Sequence, residues 1–382
     1  MNDPALIALA CLPAMSPTRL RHVLRHHSPG DALERLRNNR PLLPMVTRHI
    51  SDDGVSLLRQ QAAGASVEAA VQRCRESATD VVDARDDAWP VVFANDAAAP
   101  AALFVRGDLS VLSARRVGIV GTRNATSAGR ATARELGHDL ADAGVTVVSG
   151  LARGIDGAAH EGVKASLANG ADSADGSDSA SGRAAAVVGS GLDVPYPLRH
   201  RDLWEWVGRH GLLMSEHPPG VTPEPWHFPL RNRIIAALSE VLVVVESRER
   251  GGSLITANLA LDMGIEVMVV PGSPHNRSSA GTNQLLFEGA AVVRSADDVL
   301  THLGLDHSRQ HAVHDARPVP QGVQAAVLAT CEQQPSTLDM IVGDVGCSVA
   351  EAALAAARLE QSGWLIEAAG WFEPTSSRLS RS

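Results

Sequence analysis

Hydrophobic positions fall into three regimes along the chain. From Met1 to Arg75 they recur at helical spacing, in LIALACL, SPTRLRHVLRHH and DALERLRN, with breaks at Pro13, at Pro29-Gly30 and from Pro41 to Pro44. A small helical domain (SAM or helix-hairpin-helix-like) is predicted over 1–75. From about 80 to 305 short aliphatic runs alternate with amphipathic segments. The runs are VGIVG (117–121), VTVVSG (145–150), AAAVVGS (184–190), LLMSEH (212–217), VLVVVES (241–247), EVMVVPG (266–272) and AAVVRS (290–295). Between most of them lie helical stretches such as SAGRATARELGHDLADAG, HRDLWEWVGRHG and SLITANLALDMG. This alternation predicts βαβ units: an α/β fold with a Rossmann-like, doubly wound, mostly parallel sheet. Near-continuous Val/Ile/Leu runs suit strands covered on both faces. From 321 to 376 three helical segments precede WLIEAAGWFEP, which alternates like a hairpin. That is the order of a winged helix.

Two stretches lack any period. Residues 168–182, ANGADSADGSDSASG, carry three Asp and no basic residue, and a disordered surface insertion is expected there. Residues 306–320, within the polar, Pro-bearing run around HSRQHAVHDARPVPQG, read as an interdomain linker.

Charge changes the picture locally. The net charge of −9 argues against a surface basic all over. Residues 1–75 nevertheless hold ten Arg against six acids, whereas 319–375 hold only Arg358 against seven. Such an acidic module would repel a phosphate backbone, so a protein contact or a structural role is expected of the winged helix. Lys164 is the only lysine; the other 33 basic residues are Arg. Codon bias accounts for this, and its consequence is that bound anions would meet planar guanidinium groups. No apolar run approaches the roughly 18 residues of a membrane span, and the start of the chain does not read as a signal peptide. A cytoplasmic protein without a membrane partner is expected. Cys11, Cys74, Cys331 and Cys347 are scattered; they are read as reduced and structural, and neither a metal site nor a cofactor is expected.

Ligands of open α/β sheets bind beyond the carboxyl ends of the strands, where glycine turns and helix N-termini present backbone amides. Here those turns read Gly121-Thr122-Arg123-Asn124, Ser149-Gly150-Leu151-Ala152-Arg153-Gly154-Ile155-Asp156, Gly189 to Pro197 followed by Arg199, Arg231-Asn232-Arg233, and Gly251-Gly252-Ser253. Together they would bring several Arg to one sheet edge, whose natural guest is a chain of phosphates. Amides of Gly121 to Arg123, Gly150 to Arg153 and Gly252-Ser253 are expected to seat the phosphates, with Arg123, Arg199 and Arg231 supplying charge. The dinucleotide fingerprint is absent, as are a P-loop, a nucleophile elbow and H-E-x-x-H. No catalytic residue is proposed. Asp156 and Asp193 are read as tying down turns, and His160 and His227 as structural.

In order, GIVGTRNAT, SGLARGIDGAAH, GSGLDVPYP, FPLRNRIIAALS, GGSLITANLALDMG and VPGSP with GTNQLLFEGA closely resemble the DNA-processing protein A (DprA, or Smf) family over residues 80 to 305, the insertion aside. The resemblance implies a non-enzymatic single-stranded DNA-binding protein. It implies further that the protein dimerises through the Rossmann-like domain, protects incoming DNA and loads the recombinase RecA in natural transformation. It places the DNA on a basic pocket made by Arg123 and Arg199, with Arg231, Asn232 and Arg233 nearby. The family often has Lys where this chain has Arg199. Aromatics for base stacking are few, Trp204, Trp226 and Phe228 being the nearest. The alternative is a nucleotide-processing enzyme of the phosphoribohydrolase type. Its P-G-G-x-G-T-x-x-E signature lacks the Pro and the Glu in the comparable loop, which begins Glu249-Arg250-Gly251-Gly252.

Overall fold

In a computed structural model of the chain, the described residues are 3–94, 96, 98–170, 182–305, 320–368 and 370–375. Two compact units divide it, Met1–Asp306 and His307–Ser382.

The first unit opens with six helices: α1 (Pro4–Ala10), α2 (Pro17–Leu24), α3 (Pro29–Arg37), α4 (Pro44–Thr47), α5 (Asp52–Gly64) and α6 (Val67–Glu76). Several of the prolines that interrupt the pattern start helices rather than end them. Proline fills the first position of α1 to α4, and the side chains of Asp3, Ser16 and Ser28 cap the first three of these. All four cysteines are free; Cys11, at the end of α1, and Cys74, in α6, share a thiol hydrogen bond.

Nine strands follow: β1 (Asp80–Val82), β2 (Leu103–Gly107), β3 (Arg116–Val120), β4 (Thr146–Ser149), β5 (Ala184–Val187), β6 (Leu212–Ser215), β7 (Val241–Val244), β8 (Glu266–Val269) and β9 (Ala291–Val292). They form one sheet in the order β1-β2-β6-β5-β4-β3-β7-β8-β9. From β6 to β9 all pairings are parallel; β2 runs antiparallel to β6, and β1 to β2. The seven parallel strands coincide with the seven aliphatic runs. The antiparallel extension was not expected, because DVV has three residues, Arg106 and Gly107 break the apolar run of LFVRG, and the two flank a Pro- and Ala-rich stretch.

The connecting helices are α7 (Ser127–Asp142), α8 (Ile155–Gly170), α9 (Arg201–His210), α10 (His227–Leu238), α11 (Gly252–Asp262), α12 (Ala280–Phe287) and α13 (Ala296–His302). Alternate strand residues face opposite ways and build two cores. Val117, Ile119, Val147, Ala186 and Val243 pack with α7, α8, α9 and α13, and this core continues into Leu6, Leu9, Leu36 and Leu58 of the helical segment. Val148, Ala185, Val187, Leu242 and Val244 pack with α10, α11 and α12. The helical segment is thus joined to the sheet domain by a shared interior. α8 continues through Gly170, three residues into the expected insertion; 171–181 lie outside the described residues, as do 306–319 of the expected linker.

The second unit contains α14 (Val323–Gln333), β10 (Ser336–Thr337), α15 (Leu338–Val345), α16 (Val349–Gln361), β11 (Leu365–Ala368) and β12 (Trp371–Pro374), with an antiparallel sheet ordered β10-β12-β11. The three helices and hairpin match the expected order; the two-residue β10 was not foreseen. Among the described residues no single helix is long and apolar enough to cross a membrane.

Candidate nucleic-acid interface

The order of strand addition reverses at β3, which has β4 on one side and β7 on the other, all three parallel. The loops after β3 and β7 therefore flank the topological switch point, where ligands of such sheets bind. Two clefts open there, of about 370 and 540 Å³, and Arg123 borders both. Thr122, Asn232, Arg248, Arg250, Gly252 and Phe228 line the first. Arg153, Arg199, Arg130 and Arg134 line the second.

Two buried carboxylates already engage backbone amides around the switch point. Glu246, buried just after β7, accepts from the Thr126 backbone N–H (2.9 Å) and hydroxyl (2.5 Å) at the start of α7. Asp156, buried in the first turn of α8, accepts from the amides of Gly121 and Gly150. The Thr122 amide donates to the Glu246 carbonyl at 2.7 Å. The amides of Gly121, Thr122 and Gly150 are thus spent within the protein, contrary to their expected phosphate-seating role. Asp156 ties down the turns, as read from the sequence, and so does Asp193, which accepts from the Gly220 amide at 2.8 Å.

Arg231 and Arg233 also depart from expectation. Arg231 is buried; its guanidinium lies 3.6 Å from Asp156, donates to the Val187 carbonyl and fills the space where a Gly150 side chain would be. Glycine at 150 is required by that close approach. Burial lowers Arg231 to about 10, with Asp156 opposing the shift, and burial raises Asp156, with Arg231 opposing that. Arg233 pairs with the nearly buried Glu216, which Arg21 of α2 also faces. Neither arginine supplies the free charge expected of it, because each neutralises a buried acid. Ser253 is buried too, its hydroxyl donating to the Ser247 hydroxyl at 2.8 Å.

What remains open is a rim of cations. Arg123, Arg153 and Arg199 are exposed, and among the described residues none has a carboxylate within ion-pair distance. Arg248 and Arg250 share this state and were missed in the sequence, where the intervening Glu249 masks their charge. Gly252, exposed with open space at its Cα, begins α11, whose N-terminus has no side-chain cap. The β4–α8 loop is held against the β3–α7 loop by Gly154, whose φ of +84° and contact with the Thr122 carbonyl exclude a side chain. His200 donates to the Leu151 carbonyl at 3.0 Å, which fixes the short helix carrying Arg199.

Aromatic groups sit among these cations. The Arg123 guanidinium lies over Phe228, 4.3 Å from its centroid, and Tyr196 lies 5.5 Å from the same ring. Tyr196 is 43% exposed and Trp226 54%. Trp204, by contrast, is fully buried and donates to the Leu192 carbonyl, so it belongs to the core. Tyr196, the chain's one tyrosine, stands between Pro195 and Pro197, a setting that reads in sequence as turn chemistry.

A family model described as DNA recombination-mediator protein A matches residues 80–304. The chain belongs to this family. DNA processing protein DprA of Bacillus subtilis is 41% identical over 206 residues, covering 53% of this chain and 64% of the relative's length. The X-ray structure of DprA from Streptococcus pneumoniae superposes with a TM-score of 0.62 at 30% identity, covering 78% of this chain and 95% of that one. A structure describing the single-stranded DNA binding mode of DNA processing protein A from Helicobacter pylori gives a TM-score of 0.50 at 26% identity, covering 60% and 97%. The matched segment contains the whole of the family-like sheet domain and every residue of the cationic rim.

Proposed function

We propose that this protein binds single-stranded DNA on the rim formed by Arg123, Arg153, Arg199, Arg248 and Arg250, with Tyr196 and Phe228 as stacking surfaces. The observation that carries this reading is the contrast at the switch point: five exposed arginines, without ion pairs among the described residues, surround loops whose amides are engaged by Glu246 and Asp156. The loop Glu249 to Thr256 lacks the Pro and the Glu of the phosphoribohydrolase signature, which disfavours that alternative. A polyanion lying across the surface needs only the open guanidinium groups, and bases stack on aromatic faces regardless of sequence. Family membership and the DNA named for the Helicobacter pylori structure support the same substrate.

Its biological task is to protect incoming single strands and to load the RecA recombinase on them in transformation and recombination, as a non-enzymatic cytoplasmic protein. It works as a homodimer. Phe287, 88% exposed, and Leu261 and Val292 offer apolar surface towards the β9 end of the sheet in support of pairing. The C-terminal unit is a winged helix that contacts protein: its charge is acidic, and it exposes Val349, Leu354, Ile366 and Trp371.

Fluorescence anisotropy with a labelled mixed-sequence oligonucleotide, single-stranded and duplex, tests the substrate. Preference for the single strand, lost in large part with Arg199→Ala, is expected. Equal binding of both forms, or no binding at low salt, would overturn the reading and direct attention to nucleoside monophosphate hydrolysis.

A further inference from the structure

The first turn of α10 borders two hollows. Phe228 lines a cleft of the rim, whereas Trp226 and Leu230 line a separate cavity of about 350 Å³. The start of α2 supplies a second wall of this cavity, through Ser16, Thr18 and Arg21, and Glu216 and His217, which follow β6, supply a third. Arg231 lines both hollows. The cavity thus lies at the same carboxyl edge of the sheet as the rim. Three strand spacings separate β6 from β3, or about 14 Å.

The cavity holds donors that lack acceptors. The Nε atoms of Arg21 and Arg231 are buried, and neither has a hydrogen-bond partner among the described residues. Arg231 is only 6% exposed; Asp156 and the Val187 carbonyl engage its other nitrogens and leave Nε unserved. An unsatisfied buried donor carries the full cost of its desolvation, which an acceptor entering the cavity would relieve. Glu216 is not that acceptor, because its ion pair is with Arg233. Burial and the nearby Arg233 push Arg21 below its ordinary value, while Glu216 and Asp96 oppose the shift from beyond ion-pair distance. The buried His217 ring makes no hydrogen bond among the described residues and stacks on His227, with centroids 3.9 Å apart. Kept neutral by burial, it presents one N–H and one lone pair. The start of a helix favours an anion, and the exposed Trp226 adds an aromatic face.

We propose that this cavity receives one nucleotide of the bound single strand, its phosphate on Arg21 at the start of α2 and its base against Trp226. The inference rests on the single-strand reading of the rim, and it gives the helical segment a share in holding DNA. A volume of about 350 Å³ lies at the low end for ligand pockets and suits one nucleotide rather than a run of them. A strand whose phosphates are about 3.4 Å or more apart reaches it from Arg123 in about four nucleotides or fewer. A free nucleoside monophosphate carries the same chemistry, and the test separates the two sources.

A labelled oligothymidylate of about 16 nucleotides is titrated on the full chain between about 50 and 200 mM salt. Arg21→Gln, folded by circular dichroism, is expected to bind about tenfold more weakly, with a salt slope smaller by about 0.7 for one lost phosphate. Trp226→Leu should bind about fivefold more weakly with the slope unchanged, since stacking neutralises no phosphate. On an abasic strand of equal length Trp226→Leu should match wild type. Arg48→Gln, an exposed position of the same helical segment outside the cavity, should stay within about twofold of wild type.

Wild-type affinity and slope in Arg21→Gln overturn the proposal. So does an equal loss in Arg48→Gln, which would mark a general field effect, and so does a Trp226→Leu loss that persists on the abasic strand. If thymidine 5′-monophosphate raises the melting temperature of wild type but not of Arg21→Gln, while both bind DNA alike, the guest is a free nucleotide and the strand assignment falls. Failure of the rim reading looks different: Arg123→Ala then binds the oligothymidylate as wild type does. If wild type binds no DNA, both readings fall.

Discussion

Arg123 and Arg231 approach the same edge of the sheet and differ in everything that decides their work. Arg123 is exposed, has no carboxylate within ion-pair distance among the described residues and lies on an aromatic ring. Arg231 is buried, pairs with Asp156 and is accommodated by the missing side chain of Gly150. The difference separates a rim that is free to hold an anion from a floor whose charges are consumed in holding the loops. The floor shapes the rim, since Asp156 gathers the β3–α7 and β4–α8 turns through the Gly121 and Gly150 amides. Substitutions should therefore divide into those that unfold the edge and those that only discharge it.

The largest effect is expected at the floor. Arg231→Ala leaves Asp156 buried without its partner and should cost about 3–5 kcal/mol, a fall in melting temperature of about 10 °C for a unit of this size. Calorimetry or thermal circular dichroism checks it; a shift within about 1 °C would mean that the pair contributes little. Next comes pH. Burial holds His160 and His217 at about 4, and neither ring nitrogen of His160 makes a well-formed hydrogen bond. The folded state keeps both rings neutral where the unfolded chain takes up protons below about 6.5. Stability from this source is present above that value and is lost as pH falls towards about 4, by roughly 3 kcal/mol per ring. Asp156 and Glu216, raised by burial, act in the opposite sense. Melting temperature against pH should fall below about 6.5 and flatten in His217→Phe; parallel profiles would remove His217 from the account.

At the rim, Arg123→Ala should weaken single-strand binding by about 1.5–3 kcal/mol, the range for a charge-assisted contact, while stability stays within about 0.5 kcal/mol. A loss of both together would place Arg123 in the floor. The smallest effect belongs to Ser253→Ala, which removes one buried hydrogen bond, about 1 kcal/mol of stability, and leaves DNA binding as it was. Weaker binding without destabilisation would return Ser253 to the interface.

The same division marks what could be read from the sequence. The parallel strands were legible because strands buried on both faces must be aliphatic throughout, and glycine turns after them located the edge. Which arginines stay free was not legible. The partners of Arg231 and Arg233 are Asp156 and Glu216, distant in sequence, and nothing local distinguishes a paired guanidinium from an open one. The RNR run therefore looked like interface and proved to be largely support. Arg248 and Arg250 were hidden in the opposite way, since Glu249 between them suggests neutrality while both line the cleft. Tyr196 reads locally as part of a turn, and its neighbour Phe228 lies 32 positions along the chain. β1 and β10 are too short to carry a period, and Arg106 and Gly107 break the apolar run of β2.

The salt dependence of single-strand binding, wild type against Arg123→Ala/Arg199→Ala, tests the central claim most directly. Two open guanidinium groups that neutralise phosphates should reduce the slope of log K against log salt by about 1.4 when removed, with the fold intact by circular dichroism. An unchanged slope and affinity in the folded double variant would contradict the assignment of the rim as the DNA site.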